Sequence, residues 1–475
     1  MAQHISSPYR GVSLINDPIH GYMQYTTHID DDPEEVTEKD ILDHPWVQRL
    51  RRIHQVQSAL WVYPSAEHSR FQHSLGAMFL AGRFARQLYP TLKKTFPDVP
   101  SEAYVEALLR LTGLLHDLGH GPFSHFFDTH FLQDHGITHE DISQAIIQQK
   151  LGHLIRRIRR SPSGRFHEGE TLDPAYVAFL VKRPAGRQKE EVPAWLLALS
   201  PVFSGIYTAD NMDYVLRDSY MAGVSTDLVD VDRLIYYTFL SPKGMTLHHS
   251  GVAALVRFLN ARLYLYMNMY FHRTTRAIDL HLREIFRPTL ERIFPYKPTK
   301  NLDAYERLTD WSLLEEVNRW ASEATDPEER RLGKKWQRIL HRKPRWKRAY
   351  EYTFSLADVD DPKIFGMVQD PGLLEERLRS NLPRHLKGVQ FRVDLAHLDP
   401  RPINPLRMGD AQIYIYNESS NRIETEILKE LFRFIPVRVI QCRIFTLSHE
   451  YDREIASAFH KIFQFVPADT LPTNI

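Results

Sequence analysis

Tyr104-Val105-Glu106-Ala107-Leu108-Leu109-Arg110-Leu111-Thr112-Gly113-Leu114-Leu115-His116-Asp117-Leu118-Gly119-His120-Gly121-Pro122 is the stretch from which the fold can be read. Apolar side chains at 104, 105, 107, 108, 109, 111, 114, 115 and 118 cover nearly every face, which predicts a buried helix. Gly119, Gly121 and Pro122 stop it. His116 and Asp117 therefore fall in the last turn of a buried helix. Two ionisable groups are costly there unless something binds them.

Outward from that helix the pattern stays helical over residues 40–150. Leu75, Met78, Phe79, Gly82, Ala85 and Leu88 recur at helical spacing, and His73 opens that element. Downstream, Thr208 is a good N-cap for a helix on which Asp210, Tyr214, Arg217, Asp218 and Met221 share a face. Val252 to Arg287 reads as one long helical pattern with Tyr264, Tyr266, Tyr270 and Phe271, aromatics best assigned to packing. Lys297–Asn301 reads as a linker and 311–342 as a charged helical segment. Beyond it, strand-like runs (Phe391–Leu395, Gln412–Tyr416, Val437–Thr446) alternate with helical ones. The expected fold is mainly α with a smaller C-terminal α+β lobe. The expected divisions are 1–290 for the large helical domain, 291–350 for a charged helical connector and 351–475 for the lobe.

Composition narrows the class. At 475 residues, 43% hydrophobic and 25% charged, the chain is ordinary globular protein. Its 60 Lys and Arg balance 59 Asp and Glu, so no global field points to nucleic acid or an anionic membrane. Cys442 is the only cysteine, which excludes an intrachain disulfide and a Cys-rich zinc site and fits a reducing compartment. No stretch approaches the ~20 apolar residues of a membrane span, and Met1–Arg10 lacks a signal-peptide core. A cytoplasmic protein without membrane contact is expected.

The chemistry is carried by a local crowd. Of 24 histidines, His116, His120, His125, His130, His135 and His139 lie close together in sequence beside aspartates. Imidazole and carboxylate are the usual ligands of zinc, iron and manganese. His73, the pair His116-Asp117, and Asp210 sit at or near helix ends, so three helices can aim four ligands at one point. Two His and two Asp around one cation leave positions for water and a phosphate oxygen. One divalent transition metal (Fe, Mn, Zn or Ni) is the expected cofactor.

Several phrases resemble the HD-domain phosphohydrolases: Ile15-Asn16-Asp17-Pro18-Ile19-His20-Gly21, Gln48-Arg49-Leu50-Arg51, His68-Ser69-Arg70-Phe71-Gln72-His73-Ser74-Leu75-Gly76, His116-Asp117 through His125, and Asp213-Tyr214-Val215-Leu216-Arg217-Asp218. Within that family they resemble the deoxynucleoside triphosphate triphosphohydrolases, in the branch named for its sterile-alpha-motif and HD domains, here without the sterile-alpha-motif domain. The match is strong over about 12–290 and fainter through Asp303-Ala304-Tyr305 and Leu308-Thr309-Asp310.

The resemblance implies an HD-domain helical core and the metal ligands His73, His116, Asp117 and Asp210. It further implies His125 and Asp128 as a proton-transfer pair, with His120 and His139 near the phosphates. Arg70 becomes the phosphate clamp, and Gln55, Tyr214, Asp218 and Tyr270 line a sugar pocket. The implied reaction splits a dNTP, with magnesium on the nucleotide, into deoxynucleoside and inorganic triphosphate. A homodimer or homotetramer is implied too. Asn16, Asp43, Gln48 and Arg51 match the place where some relatives bind an activating guanine nucleotide.

Two positions depart from the pattern. Asn211 stands where the family often carries Lys or Arg, and Phe271 where close relatives carry Gln. The alternative reading is therefore an HD-type phosphodiesterase or nucleotidase acting on another phosphorylated nucleotide or RNA. Arg330–Arg348, with Trp336 and Trp346, and the cluster Arg156, Arg157, Arg159 and Arg160 are the segments that suit nucleic acid. A solvated helix or subunit interface is the commoner use of such segments.

Overall fold

A computed structural model describes residues 9–29, 34–183, 192–224, 229–354, 362–398, 413–424 and 439–463. It is mainly helical, with small sheets only, as the periodicity predicts. The chain forms two compact units, one drawn from Met1–Ala261, Arg287–Val317 and Pro402–Glu430, the other from Arg262–Phe286, Asn318–Arg401 and Leu431–Ile475. Among the described residues no helix is long and apolar enough to cross a membrane.

The first unit is built on α1 (Arg70–Thr95) and α2 (Glu102–Leu115), which pack along one another. Ser69 and Gln72 form a capping box at the start of α1, which fixes where the helix begins and so where His73 sits. Every residue of α2 from Ala103 to Leu115 is buried. The two charged residues of this buried stretch are paired. Arg110 donates to Glu38 at 2.5 and 3.0 Å, and Glu106 accepts from Ser161 Oγ and Ser163 N at 2.7 and 2.8 Å.

Three short helices follow or face this pair: α3 (His125–His130), α4 (His139–Ile146) and α5 (Ala209–Ala222). An antiparallel hairpin, Val12–Asp17 with Gly21–Thr26, precedes them; it was not among the expected elements. The unit also holds a sheet in which Tyr414–Asn417 pairs in parallel with Gly244–His248. Of the expected run Gln412–Tyr416, Gln412 lies outside the described residues, and this strand joins the first unit rather than a C-terminal sheet.

The pattern Val252–Arg287 is not one helix. An α-helix runs from Val252 to Leu265, a π-turn covers Tyr266–Tyr270, and new helices span Arg273–Arg283 and Phe286–Ile293. The π-turn and the side chain of His272, which accepts from Thr274 N at 3.3 Å, restart the backbone where periodicity alone shows no break. The 311–342 segment is likewise two helices, Asp310–Glu323 and Pro327–Leu340. They are divided where Asp326 caps the second and Pro327 takes its first turn.

The second unit carries a three-stranded antiparallel sheet, with Val439–Thr446 between Lys347–Phe354 and Phe391–Leu398. Helices Pro371–Asn381 and Asp452–Phe463 supply Leu374, Leu378 and Phe459 to a core shared with Phe354, Val393 and Ile444. Cys442 is buried in the central strand, and burial pushes its thiol up, so it is inert.

His281, buried in the helix Arg273–Arg283, has its pKa pushed down to about 4 by burial, with Arg338, Arg345 and Lys335 adding to the effect. Its folded value lies below the unfolded one. It therefore costs nothing above about pH 6.5, and destabilises increasingly as pH falls toward 4, by up to about 3 kcal/mol. His281→Gln, neutral throughout, is expected to lose less melting temperature than wild type between pH 7.5 and 4.5. Equal losses would show that this histidine is not what makes the protein acid-sensitive.

Candidate active site

Four side chains meet where α1, the end of α2 and the start of α5 converge. His73 Nε2 lies 3.3 Å from His116 Nε2, 3.6 Å from Asp117 Oδ2 and 3.1 Å from Asp210 Oδ1. His116 Nε2 is 3.2 Å from Asp117 Oδ1 and 3.8 Å from Asp210 Oδ1. The structure thus brings together all four residues read as ligands. His116 is the C-cap of α2, and the turn after it swings Asp117 inward. Thr208 caps α5, which places Asp210 in its first turn.

The donor chemistry fits a cation. His116 Nδ1 is 2.8 Å from Gly113 O, and a carbonyl can only accept, so that nitrogen carries the proton. His73 Nδ1 is 2.8 Å from Asp213 Oδ2 and likewise donates. Both Nε2 atoms then present lone pairs to one another and to two carboxylates, an arrangement that calls for a positive centre. Burial alone would lower His73, but Asp210, Asp213 and Asp117 outweigh it and raise its pKa to about 10, the response of an imidazole to concentrated negative charge. Asp117 is held well below the usual carboxylate range; burial opposes this, and Arg70, His116 and His120 overcome it. The residues present suit one divalent metal.

Behind His73 lies a buried network to which the sequence assigned no role. Asp213 accepts from His20 Nε2 at 2.7 Å and from Arg217 at 2.9 Å through each oxygen, and Arg217 also reaches Asp17 at 2.8 Å. The N-terminal hairpin brings in Asp17 and His20. The available signal was spacing, since Asp213 and Arg217 follow Asp210 on one helical face. Gly76 makes room, because a Cβ there would stand 1.7 Å from Asp213 Oδ1.

Beside the metal ligands is a second group. Asp128 Oδ2 is 3.1 Å from His125 Nδ1 and 2.6 Å from His139 Nδ1, and His120 stacks on His139 with ring centroids 3.8 Å apart. Burial would raise Asp128, yet His120, His139 and His125 hold it well below its ordinary value. Asp128 in turn raises His139 against the opposing effect of burial. His120 is fully buried; among the described residues neither ring nitrogen meets a hydrogen-bond partner, though Nε2 lies 3.4 Å from Asp117 Oδ1, and burial together with Arg70 and His139 pushes its pKa well down. His125 is 60% exposed and forms the open side.

The loop between the two groups is fixed from outside. Arg49, fully buried, donates to Leu118 O and His120 O at 3.4 and 2.7 Å, and to Glu306 O and Leu308 O at 3.1 and 2.6 Å. Tyr305 donates to Gly119 O at 2.7 Å, and Asp310 accepts from Phe123 N at 2.7 Å and His54 Nδ1 at 2.8 Å. Phe123 and Ser124 take φ of 62° and 56°, a region side chains rarely adopt, so the loop needs these restraints. At Gly119 a Cβ would meet His139 O at 1.9 Å.

The remaining expected residues divide. Arg70 is buried and bonded to Asp117 and, at 2.7 Å, to Ser124 Oγ, so in this arrangement it secures a ligand and the loop. Asp218 is buried against His68 Nε2 at 2.8 Å; Gln55 Oε1 is buried without a partner among the described residues; Tyr214 is half-buried. Tyr270 belongs to the second unit, where it packs on Tyr266 and Phe271. Asn16 is exposed, Asp43 binds Lys39 at 2.5 Å, Gln48 donates to Leu42 O at 2.7 Å, and Arg51 donates to Gln48 at 2.8 Å. Trp336 and Trp346 are buried, so the Arg330–Arg348 segment offers no exposed stacking face from them. Arg157 and Arg160 pair with Glu34 and Glu35.

Residues 70–188 match the HD domain family, and residues 229–364 match the HD associated region. The chain thus carries an HD domain followed by an HD associated region. Among similar proteins is the deoxynucleoside triphosphate triphosphohydrolase SAMHD1 homolog of Dictyostelium discoideum, 28% identical over 283 residues, or 59% of this chain and 50% of that protein. The deoxynucleoside triphosphate triphosphohydrolase SAMHD1 of Gallus gallus is 28% identical over 423 residues, 82% of this chain and 64% of its own length. The chain thus spans about half to two thirds of these relatives. A crystal structure of a hypothetical protein from Aquifex aeolicus shares the fold, with TM-score 0.66 at 23% identity over 94% of this chain and 100% of its own.

Asp213→Asn and Gly76→Ala both disturb the acceptor that sets the His73 tautomer. Each is expected to weaken metal affinity about 10–100-fold, read by competition with a chelating dye. Unchanged affinity in both would remove Asp213 from that role.

Proposed function

We propose that the chain hydrolyses deoxynucleoside triphosphates to deoxynucleoside and inorganic triphosphate. The observation that carries this is the pairing of a two-His, two-Asp centre with an adjoining histidine group that holds unsatisfied polar atoms. A divalent metal at His73, His116, Asp117 and Asp210 would supply Lewis-acid charge stabilisation at the phosphate. His139, whose pKa Asp128 raises, would attract phosphate oxygens when protonated, and His120 would turn a ring nitrogen toward them. His125, on the open side, would protonate the leaving oxygen, with Asp128 orienting it. Gln55 and Asp218 would bond the sugar, with Tyr214 beside them. Most of the rate would come from positioning and charge neutralisation.

A second reading has its own support. Asn211 uses its side chain on its own helix cap, accepting from Thr208 N at 2.6 Å, and Arg70 is held by Asp117 and Ser124. Both observations leave fewer cations for a triphosphate, which favours a phosphodiesterase or nucleotidase acting on a shorter phosphate group. An activating guanine nucleotide at Asn16, Asp43, Gln48 and Arg51, and assembly as a homodimer or homotetramer, belong to the proposal through the relatives alone.

Product analysis separates the two readings. Purified protein with manganese or magnesium is expected to release inorganic triphosphate from dNTPs, alone or in mixtures with GTP. His116→Ala and Asp117→Ala are each expected to cost at least about 10²-fold. Turnover of monophosphates or diesters with no triphosphate would select the second reading.

A further inference from the structure

The second unit contains a polar cavity of about 300 Å³ that the chemistry above does not use, lined by Glu284, Arg345, Trp346, Arg379, Gln390 and Arg392. That size falls at the small end of ligand sites. Three guanidiniums share it. Arg345 donates to Glu284 at 2.9 Å and to Gln390 at 2.8 Å. Arg379 spends its described hydrogen bonds on carbonyls, Lys387 O at 2.6 Å and Val389 O at 3.1 Å. Arg392 donates to Phe391 O at 3.3 Å and lies 3.5 Å from Glu375.

Among the described residues these three cations meet two carboxylates, Glu284 in the lining and Glu375 beside it, and both are already engaged. Glu284 also accepts from the indole of Trp346 at 2.9 Å, and Glu375 accepts from Val393 N at 2.9 Å. Carbonyl bonds orient a guanidinium without neutralising it. Ring contacts orient these further, with Arg379 4.5 Å from the Phe391 centroid and Arg345 and Arg392 5.3 and 5.7 Å from that of Trp346. Like charges gathered in a cavity repel, and an anion relieves that repulsion. Forks held in place beforehand lose little entropy when one binds.

We propose that this cavity binds a small phosphate-bearing anion. A carboxylate has two oxygens and suits one fork, whereas a phosphate offers more acceptors for three. Trp346 is 3% exposed, so it presents no face on which a base could stack. That argues for the phosphate group itself as the recognised element, from a free oligophosphate or a phosphate monoester.

Calorimetric titration of the full chain with orthophosphate, inorganic triphosphate and dAMP tests it. Saturable binding is expected, weakened at least tenfold by Arg379→Gln and by Arg392→Gln and retained in His116→Ala. Glu375→Gln keeps an acceptor for Val393 N but removes a competing charge, so it is expected to tighten binding, an effect that misfolding would not produce. Tightest binding of triphosphate would identify a free oligophosphate, and equal binding of dAMP and orthophosphate a monoester. No binding of any probe, or binding indifferent to both arginines, would overturn the proposal.

Discussion

Two imidazole nitrogens facing each other 3.3 Å apart, flanked by two carboxylates, form the constraint on which the first unit depends. Such a group is several kcal/mol too costly to bury unless every charge is answered. The answers come in layers. Gly113 O and Asp213 fix which nitrogen of each ring carries hydrogen. Arg217 and His20 then satisfy Asp213, Asp17 in turn holds Arg217, and the hairpin that carries Asp17 and His20 is folded against the helices to do so. What looks like an ornament ahead of the helical core is part of the wiring of His73.

The loop after the ligand pair is restrained in a different manner. Arg49 has no carboxylate partner among its described bonds; its charge is spread over four carbonyl oxygens, two in the loop and two in the segment around Leu308. Burial accordingly pushes its pKa down. A carboxylate would neutralise the charge at one point, whereas carbonyls use it to tie two strands of irregular backbone together. That rigidity sustains the left-handed turn at Phe123 and Ser124, and through it the spacing between Asp117 and the histidines on α3 and α4.

Much of this was readable in advance, for identifiable reasons. The apolar run of α2, the capping residue Thr208 and the glycine-proline stop are local signals, and each element they predict is present, whereas α1 opens at Arg70, ahead of His73. The four ligand candidates converge because helix ends were the places they were expected. What could not be read was tertiary or conformational. The π-turn at Tyr266–Tyr270 leaves the periodicity intact, so one helix was expected where several exist. Arg70 had the right chemistry for a phosphate, but nothing in the sequence reveals that Asp117 already occupies it. Trp336 and Trp346 sit among cations in sequence and inside the core in space, because a helix and a strand end each turn one face inward. The strand Tyr414–Asn417 was visible as a run, yet its partner, Gly244–His248, lies far away along the chain.

The clamp on the loop has a consequence for how the protein is made. The helices from Arg70 to Ala222 come off the ribosome long before Tyr305 and Asp310, because the chain first departs at Arg262–Phe286 to begin the second unit and only then returns. A nascent chain can assemble the helical framework while the loop from Leu118 to Ser124 still lacks its outer anchors. Domains generally fold in the order they emerge. Here the last restraint on the site arrives out of that order, so the translating chain passes through a stage in which the ligand helices are formed and the site is not yet closed.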